Sequence, residues 1–249
     1  IEPLFKAVGV QHISGSVEKI HAGKHEIEMT TRSGRSETLA YDKFILAAGS
    51  PMFTPPVPGL KEYSFNVDQL PGAMALDKHM QALARKPESA ARNTVVVAGG
   101  GFTGIETAAE MPPRLRKILG KDAEIRVVIL QQAAAIGPDL GPGPRPIIQQ
   151  ALSELQVEVL VATAATAITA DGVTTSAGET IPTNTVIWTG GARANALAAQ
   201  IPGKHDRLGR VYADRELHAK HANDIFVTGD VAMAATDDDG NTAVMSCQH

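Results

Sequence analysis

Residues 94–104 determine the fold and read Thr-Val-Val-Val-Ala-Gly-Gly-Gly-Phe-Thr-Gly. The first five residues form a short apolar run, which is typical of a strand buried on both faces of a parallel sheet. The glycines that follow fit the pattern G-x-G-x-x-G, and a helical pattern begins directly after them. In this pattern the first glycine permits a tight turn, the second lets the backbone approach a diphosphate, and the third lets the helix lie close to the strand. The stretch therefore predicts a strand, a phosphate-binding loop and a helix whose amino end faces the phosphates.

The predicted contacts with a dinucleotide are the residues of this loop and of the first helical turn. A glycine-rich turn without a ligand is the alternative, but the strand before the loop and the helix after it both favour dinucleotide binding. Pro112 and Pro113 predict that the helix breaks after Met111 and that a second helical piece runs from Pro113 to Leu119. The predicted loop contacts are Gly99, Gly100, Gly101, Phe102, Thr103 and Gly104.

The next predicted strand, 124–130, ends at Gln131 and Gln132. An acidic residue at this position usually binds the adenosine ribose and repels a 2′-phosphate. We expect Gln131 to bind the ribose as a neutral group, which leaves the choice between NADH and NADPH open. Because no arginine stands beside the glutamines in the sequence, NADH is favoured. The segment 137–144 is too rich in glycine and proline for regular structure. It is interpreted either as a loop over the nucleotide site or as a plain connector.

Two stretches of the chain look like copies of one unit. Residues 9–50 contain short alternating strands at 8–13, 17–21 and 26–31, then the apolar strand that ends at Ser50. Residues 156–192 repeat this order with strands near 157–161, 164–169 and 173–175. The second unit follows a glycine-rich loop, whereas the first has nothing before it. If the units are duplicates, a matching loop precedes residue 1 in a longer protein, and the chain is expected to be truncated.

Composition excludes several classes of function. The net charge is −4 and aromatic residues make up 4% of the chain, so no basic or stacking surface for nucleic acid is indicated. The single cysteine, Cys247, excludes an internal disulfide framework and is interpreted as an ordinary thiol in a reducing compartment. No apolar run is long enough to span a bilayer. No metal site is predicted, because His218 and His221 lack a ligand pattern and residues 237–240 lack the full calcium-loop pattern.

The chain resembles the two-dinucleotide flavoprotein reductases, the superfamily of pyridine nucleotide-disulfide oxidoreductases. The resemblance is carried in the same order along nearly the whole chain by residues 41–50, 55–60, 99–106 and 228–232. Within this superfamily the chain is most similar to type II NADH:quinone oxidoreductase. That similarity rests on residues 101–106, on Trp-Thr-Gly-Gly at 188–191 and on Ser-Cys-Gln-His at 246–249. The sequence departs from that family at Gln131, where an acidic residue is usual.

The resemblance implies an enzyme with FAD and NAD(P)H as cofactors and a quinone as electron acceptor. It implies that Glu106 lies near the junction of flavin and nicotinamide and that Gln248 lies near the flavin and the quinone. It also implies that Asp230 binds the flavin, with Gly49 and Gly190 as further cofactor contacts. Taken from the residues alone, Glu106 is equally a carboxylate stabilised by the helix dipole. Two alternatives stay open, namely a disulfide, sulfide or ferredoxin acceptor and a nucleotide-binding fragment without turnover.

The predicted fold class is α/β, with a Rossmann-like parallel sheet, a β-meander crossover and a truncated two-domain FAD/NAD(P)-binding arrangement. Residues 1–88 are assigned to a partial FAD-binding domain, 89–204 to the NAD(P)H-binding domain, and 205–249 to the return segment of the FAD domain. The expected location is the cytoplasm, and the resemblance adds contact of the full-length protein with the inner membrane surface through a missing C-terminal region. A homodimer is a further partner left open.

Overall fold

The computed structural model describes residues 2–237 and 241–242, and for Glu2 and Asp139 the backbone alone. Ser246, Cys247 and Gln248 lie outside the described residues. None of the helices in the described part of the chain is long and apolar enough to cross a lipid bilayer. The α-helices of this part are α1 Glu2–Ala7, α2 Leu60–Tyr63, α3 Leu70–Leu83, α4 Ala90–Asn93, α5 Phe102–Leu119 and α6 Arg145–Glu154.

The strands of the described residues are numbered in chain order. The first eight are β1 Gly15–His21, β2 Glu26–Thr31, β3 Ser36–Ala40, β4 Phe44–Leu46, β5 Ser64–Phe65, β6 Thr94–Ala98, β7 Arg126–Leu130 and β8 Val157–Leu160. The others are β9 Ala165–Thr169, β10 Gly172–Thr175, β11 Thr180–Pro182, β12 Thr185–Trp188, β13 Val211–Tyr212, β14 His218–Ala219, β15 Ala222–Val227 and β16 Ala232–Met233.

The chain divides into two compact units. The first contains residues 1–51 and 192–249, and the second contains residues 52–191. Residues 52–88 pack within the second unit because β5 pairs with β12 and because Asp77 on α3 forms an ion pair with Arg114 on α5. These boundaries differ from the expected ones near residues 88 and 204.

The second unit is built on a five-stranded parallel sheet in the order β5-β12-β6-β7-β8. Along the chain, β6, β7 and β8 follow one another with α5 and α6 as the crossover helices. The chain then returns to β12, on the other side of β6. The strand order therefore reverses between β6 and β12, and open α/β sheets bind their ligands at the carboxyl ends of the strands at such a point. This confirms the predicted Rossmann-like parallel sheet.

Both faces of this sheet are covered, which explains the unbroken apolar runs in its central strands. Val95 and Val97 of β6 lie on the face that packs against α3, α5 and α6, where Met80, Leu83 and Leu115 are fully buried. On the opposite face the sheet packs against α2 and the meander of β9 to β11. The buried residues of that face are Leu60, Val96, Ala98, Val128, Leu130, Ile168, Val173, Ile181 and Val186.

Helix α5 is continuous from Phe102 to Leu119, so the predicted break after Met111 was wrong. Pro112 and Pro113 lie inside the helix and remove two backbone donors. The loss is offset because the surrounding turns are anchored in the core: Met111 and Pro112 are buried, and Leu115 is fully buried. Tertiary packing, and not local propensity, thus determines the helix here.

We expect Leu115→Ala to lower the free energy of unfolding by about 2–5 kcal/mol, because it leaves a cavity between α5 and the sheet. The matched control is Leu70→Ala, since Leu70 is 73% exposed at the start of α3 and its truncation is expected to change stability by less than about 0.5 kcal/mol. Urea denaturation followed by circular dichroism measures both variants. Equal midpoints for the two would contradict the described core.

Two three-stranded antiparallel meanders occupy equivalent places in the two units. Strands β1, β2 and β3 precede the parallel strand β4, and strands β9, β10 and β11 precede the parallel strand β12. The predicted order of a meander followed by a parallel strand is thus confirmed, but the expectation that both parallel strands are buried was wrong for β4, where Ile45 is 64% exposed. The first strand expected in each meander was wrong. Residues 8–13 follow α1 without pairing to another strand in the described residues, and residues 157–160 form β8 of the parallel sheet. The third strands of both meanders were missed, since their sequences are polar on one face and short.

In the first unit, β4 runs parallel to β15, so residues 49–50 and 228–230 both follow carboxyl ends of neighbouring parallel strands. Strand β14 pairs antiparallel with β15, and β13 pairs with β16. The core of this unit contains Ile20, Leu46, Ile201, Val211, Ala219, Ile225, Val227 and Val231.

Candidate nucleotide-binding site

The glycine loop lies at the point where the strand order of the second unit reverses. It follows β6, and the segment after the neighbouring strand β12 contains Thr189 and Gly190. The side chain of Thr189 donates a hydrogen bond to the carbonyl oxygen of Gly99, with an oxygen–oxygen distance of 3.1 Å. The backbone N–H of Thr189 donates to Ala98 at 2.9 Å. The ends of the two strands are therefore tied together at the loop.

Gly99 and Gly104 are required by close packing. Gly99 has φ +129°, a backbone conformation that side chains disfavour, and a Cβ there would lie 2.7 Å from the Thr189 hydroxyl and 2.8 Å from the backbone nitrogen of Gly190. A Cβ on Gly104 would overlap the carbonyl oxygen of Gly99 and lie 2.8 Å from the Thr189 hydroxyl. The helix thus contacts the strand end backbone to backbone, as the motif predicts for its first and third glycines.

Gly101 differs from its neighbours because a Cβ there would meet no atom within 4 Å. It is the N-cap residue of α5, and no side chain caps this helix end. The first N–H groups of an α-helix have no partner within the helix, so those of Phe102 and Thr103 are available to a ligand. The open space and the uncapped helix end fit a diphosphate, which the helix dipole also favours.

Gln131 holds the loop in place from the next strand. Its side chain is 7% exposed, and its Oε1 accepts a hydrogen bond from the backbone N–H of Gly100 at 3.3 Å. Its Nε2 donates to the carbonyl oxygen of Ala135, also at 3.3 Å. The backbone N–H of Gly99 donates to Leu130 at 2.9 Å. Hydrogen bonds therefore fix Gly99 and Gly100, whereas the space beside Gly101 is open.

The segment after Gln131 lies against the glycine loop. Gly137 donates its N–H to the carbonyl oxygen of Gly100 at 2.8 Å. The buried side chain of Ile136 packs beside Gly100, since its Cδ1 would lie 2.7 Å from a Cβ added there. Residues 138–140 form a single 3-10 turn. Arg145, the first residue of α6, donates from Nε to the carbonyl oxygen of Ile136 at 3.1 Å. The segment 131–145 thus brings a guanidinium into the surroundings of the glycine loop.

The remaining predicted residues of this unit lie around the loop. Phe102, Thr103 and Glu106 are exposed on the first two turns of α5, and the side chain of Glu106 forms neither a hydrogen bond nor an ion pair among the described residues. Gly190 lies beside Trp188, whose indole nitrogen donates to the carbonyl oxygen of Gly190 at 2.9 Å. This bond fixes the only tryptophan of the chain at the strand end next to the loop.

A second group of predicted residues lies in the first unit. Ser50 donates its hydroxyl to Asp230 with an oxygen–oxygen distance of 2.6 Å, which joins the ends of β4 and β15. Gly49 has φ +65° and open space at its Cβ position, and its carbonyl accepts the N–H of Asn195 at 3.0 Å. Gly49 and Asp230 are thus brought together at one edge of this unit, whereas Gln248 lies outside the described residues.

A cavity of about 240 Å³ lies at the other edge of the parallel sheet, where β12 begins. It is lined by Tyr63, Phe65, His79 and Asn184, among others. Burial lowers the pKa of His79, and the charge of Lys86 adds to this effect, while a hydrogen bond to the backbone of Asn184 opposes it. The His79 ring also bonds to the Thr185 hydroxyl at 3.0 Å. No sequence signal pointed to this cavity.

Asp214, Glu216 and His218 bring potential ligand atoms within 4.8 Å of one another in the first unit. One carboxylate oxygen of Asp214 accepts the backbone N–H groups of Glu216 and His218, and the other lies 3.3 Å from the His218 ring. Burial alone would raise the pKa of Asp214, but these hydrogen bonds and the nearby imidazole lower it overall. The cluster thereby closes the hairpin turn before β14.

Sequence reasoning missed three residues around these sites. Thr189 directly follows β12 and Ser50 comes four residues after β4, both in short runs of small residues after an apolar strand, so their position at a sheet edge was a usable signal. Arg145 offered no such signal, because it is fifteen residues beyond the end of β7 at Leu130 and reaches the loop only through the fold.

The chain belongs to the pyridine nucleotide-disulphide oxidoreductase family, which it matches over residues 5–249. Membership confirms the predicted superfamily.

Three proteins illustrate the similarity. An NADH dehydrogenase-like protein of Mycobacterium tuberculosis (strain CDC 1551 / Oshkosh) is 41% identical over 243 residues, which is 97% of this chain and 60% of that protein. The type II NADH:quinone oxidoreductase of Staphylococcus haemolyticus (strain JCSC1435) is 26% identical over 93% of this chain and 59% of its own length. The structure of NDH2 from Plasmodium falciparum in complex with NADH covers 88% of this chain and 50% of its own, with a TM-score of 0.74 and 18% identity. The chain thus spans about 60% of the length of these curated relatives.

Proposed function

We propose that this chain is part of a flavoenzyme that takes hydride from NADH and passes electrons to a quinone. The observation that carries the proposal is the glycine loop of residues 99–104, with its open position at Gly101 and its uncapped helix end. The choice of quinone is supported by the similarity to the type II NADH:quinone oxidoreductase of Staphylococcus haemolyticus.

The chain's own residues would bind and orient the reduced dinucleotide. The N–H groups of Phe102 and Thr103 would bind the diphosphate, and the loop is rigid enough to do so because Gln131 and Thr189 tie it to two strands. Gln131 would face the adenosine ribose from the end of β7. Glu106 lies one turn beyond Phe102 on the same face of α5 and would border the nicotinamide. Gly190 would line the same site from the end of β12.

FAD would be held by the first unit, at the edge where Gly49 and Asp230 meet. The Asp230 carboxylate is fixed by Ser50 and keeps its second oxygen for a hydroxyl of the flavin side chain. Gly49 leaves room for close approach of a ligand, since its Cβ position is open. Bound flavin supplies the hydride-accepting chemistry, and the protein supplies its position and surroundings.

The acceptor is tested with the flavin-loaded full-length protein. NADH oxidation is measured with a water-soluble quinone, with a small disulfide, with a polysulfide and with an oxidised ferredoxin as separate acceptors. We expect quinone to give the highest kcat/KM. A higher value with any of the other three would overturn the quinone assignment, and no NADH oxidation with any acceptor would overturn the proposed enzyme.

A further inference from the structure

Arg145 gives the adenosine end of the proposed nucleotide site a positive charge that the strand end itself lacks. Strand β7 is followed directly by neutral Gln131, whose side chain bonds to the backbone of Gly100 and Ala135. The residue at this strand end normally faces the adenosine ribose, and a carboxylate there would repel a 2′-phosphate. This chain has no such carboxylate at residue 131.

The position of Arg145 follows from three contacts. Its Nε donates to the carbonyl oxygen of Ile136, and Ile136 is packed against Gly100. The next residue, Gly137, donates its N–H to the carbonyl oxygen of Gly100 at 2.8 Å. The guanidinium is therefore bound to the segment after β7 that packs against Gly100 of the glycine loop.

The guanidinium keeps donors for a ligand. Among the residues whose side chains are described, Arg145 has the single partner Ile136, so its two terminal nitrogens are not engaged there. Two parallel N–H groups of an arginine match two oxygens of a phosphate, which is the preferred geometry of phosphate recognition.

We propose that Arg145 binds the 2′-phosphate of NADPH, so that this site accepts NADPH at least as well as NADH. The inference rests on the proposed function, because it requires the dinucleotide in the glycine loop. It reverses the preference for NADH drawn from the sequence, where no arginine stands beside Gln131.

The test compares two ligands that differ by the 2′-phosphate alone, adenosine 2′,5′-bisphosphate and 5′-AMP, by calorimetry on the 249-residue chain. We expect Arg145→Gln to weaken binding of the bisphosphate by about 10- to 100-fold and binding of 5′-AMP by less than about 2-fold. The matched control is Lys117→Gln, which removes one positive charge near the far end of the 18-residue helix α5, about 22 Å from Phe102. It is expected to change neither affinity. Circular dichroism checks that each variant is folded.

A second variant tests the same idea without touching Arg145. Gln131→Glu keeps the acceptor for the N–H of Gly100 and adds a negative charge beside the ribose. We expect it to weaken binding of the bisphosphate about 10-fold more than binding of 5′-AMP, because the added charge repels the 2′-phosphate, whereas the loss of the hydrogen bond to Ala135 affects both ligands alike.

The outcomes separate the two proposals. If 5′-AMP binds the wild-type chain and Gly101→Val prevents this binding, the nucleotide site stands. If, in addition, neither Arg145→Gln nor Gln131→Glu weakens binding of the bisphosphate more than binding of 5′-AMP, the inference on Arg145 is wrong. Equal weakening of both ligands by Arg145→Gln would also overturn it, because it would place the guanidinium on the adenine or ribose. If neither ligand binds the wild-type chain, the proposed function itself fails.

Discussion

Replacing Gly101 with valine is expected to weaken NADH binding by at least about 100-fold while leaving the chain folded. The backbone of Gly101 has φ −79° and ψ −172°, an extended conformation open to any residue. A Cβ at this position meets no protein atom within 4 Å, so the valine side chain fits the free protein. It would, however, fill the space in front of the free N–H groups of Phe102 and Thr103, where the diphosphate is proposed to bind.

Trp188 provides the readout for this variant. It is the only tryptophan of the chain, and its ring is fixed beside Gly190 at the strand end next to the loop. Bound NADH absorbs where tryptophan emits, so titration of the wild-type chain is expected to quench the emission in a saturable way. Gly23→Val is the matched control, since Gly23 also has open space at its Cβ position but lies in the first unit. Unchanged quenching in Gly101→Val would refute the assignment of the site.

Gly104→Ala is expected to have the opposite effect, a loss of stability. The added methyl group would overlap the carbonyl oxygen of Gly99, which is a backbone atom held between β6 and β12. Relief requires that α5 move away from the strand end, and overpacking of this kind costs about 1–3 kcal/mol or more. Because Thr189 lies within 2.8 Å of the same methyl position, the link between the two strands is disturbed as well.

Urea denaturation measures this variant against Gly101→Ala, which makes the same chemical change three residues earlier. We expect the midpoint of Gly101→Ala to remain within experimental error of the wild type or to rise slightly, since glycine is the more flexible residue in the unfolded chain. The midpoint of Gly104→Ala is expected to fall clearly below both. If the two alanine variants unfold at the same urea concentration, the described contact between helix and strand is incorrect.

The sequence was sufficient to predict the parallel sheet and the loop because both depend on local constraints. A run of valines flanked by glycines at fixed spacing admits few structures, and Gly99 and Gly104 are required by contacts within this short segment. The repeated order of a meander and a parallel strand was also visible, since each parallel strand is a short apolar run.

The predictions that failed depended on packing between distant segments. Pro112 and Pro113 predict a break, but the buried face of α5 keeps the helix continuous. The contact of Arg145 with Ile136 likewise requires a loop whose path local preferences do not determine. For the same reason the sequence predicted a ribose contact for Gln131 but not its hydrogen bond with Gly100.

The most direct test of the central claim is a crystal structure of the chain with bound NADH. The account predicts diphosphate oxygens within about 3 Å of the backbone nitrogens of Phe102 and Thr103, in front of Gly101. A diphosphate bound elsewhere, such as in the cavity beside His79 at the opposite edge of the sheet, would contradict it.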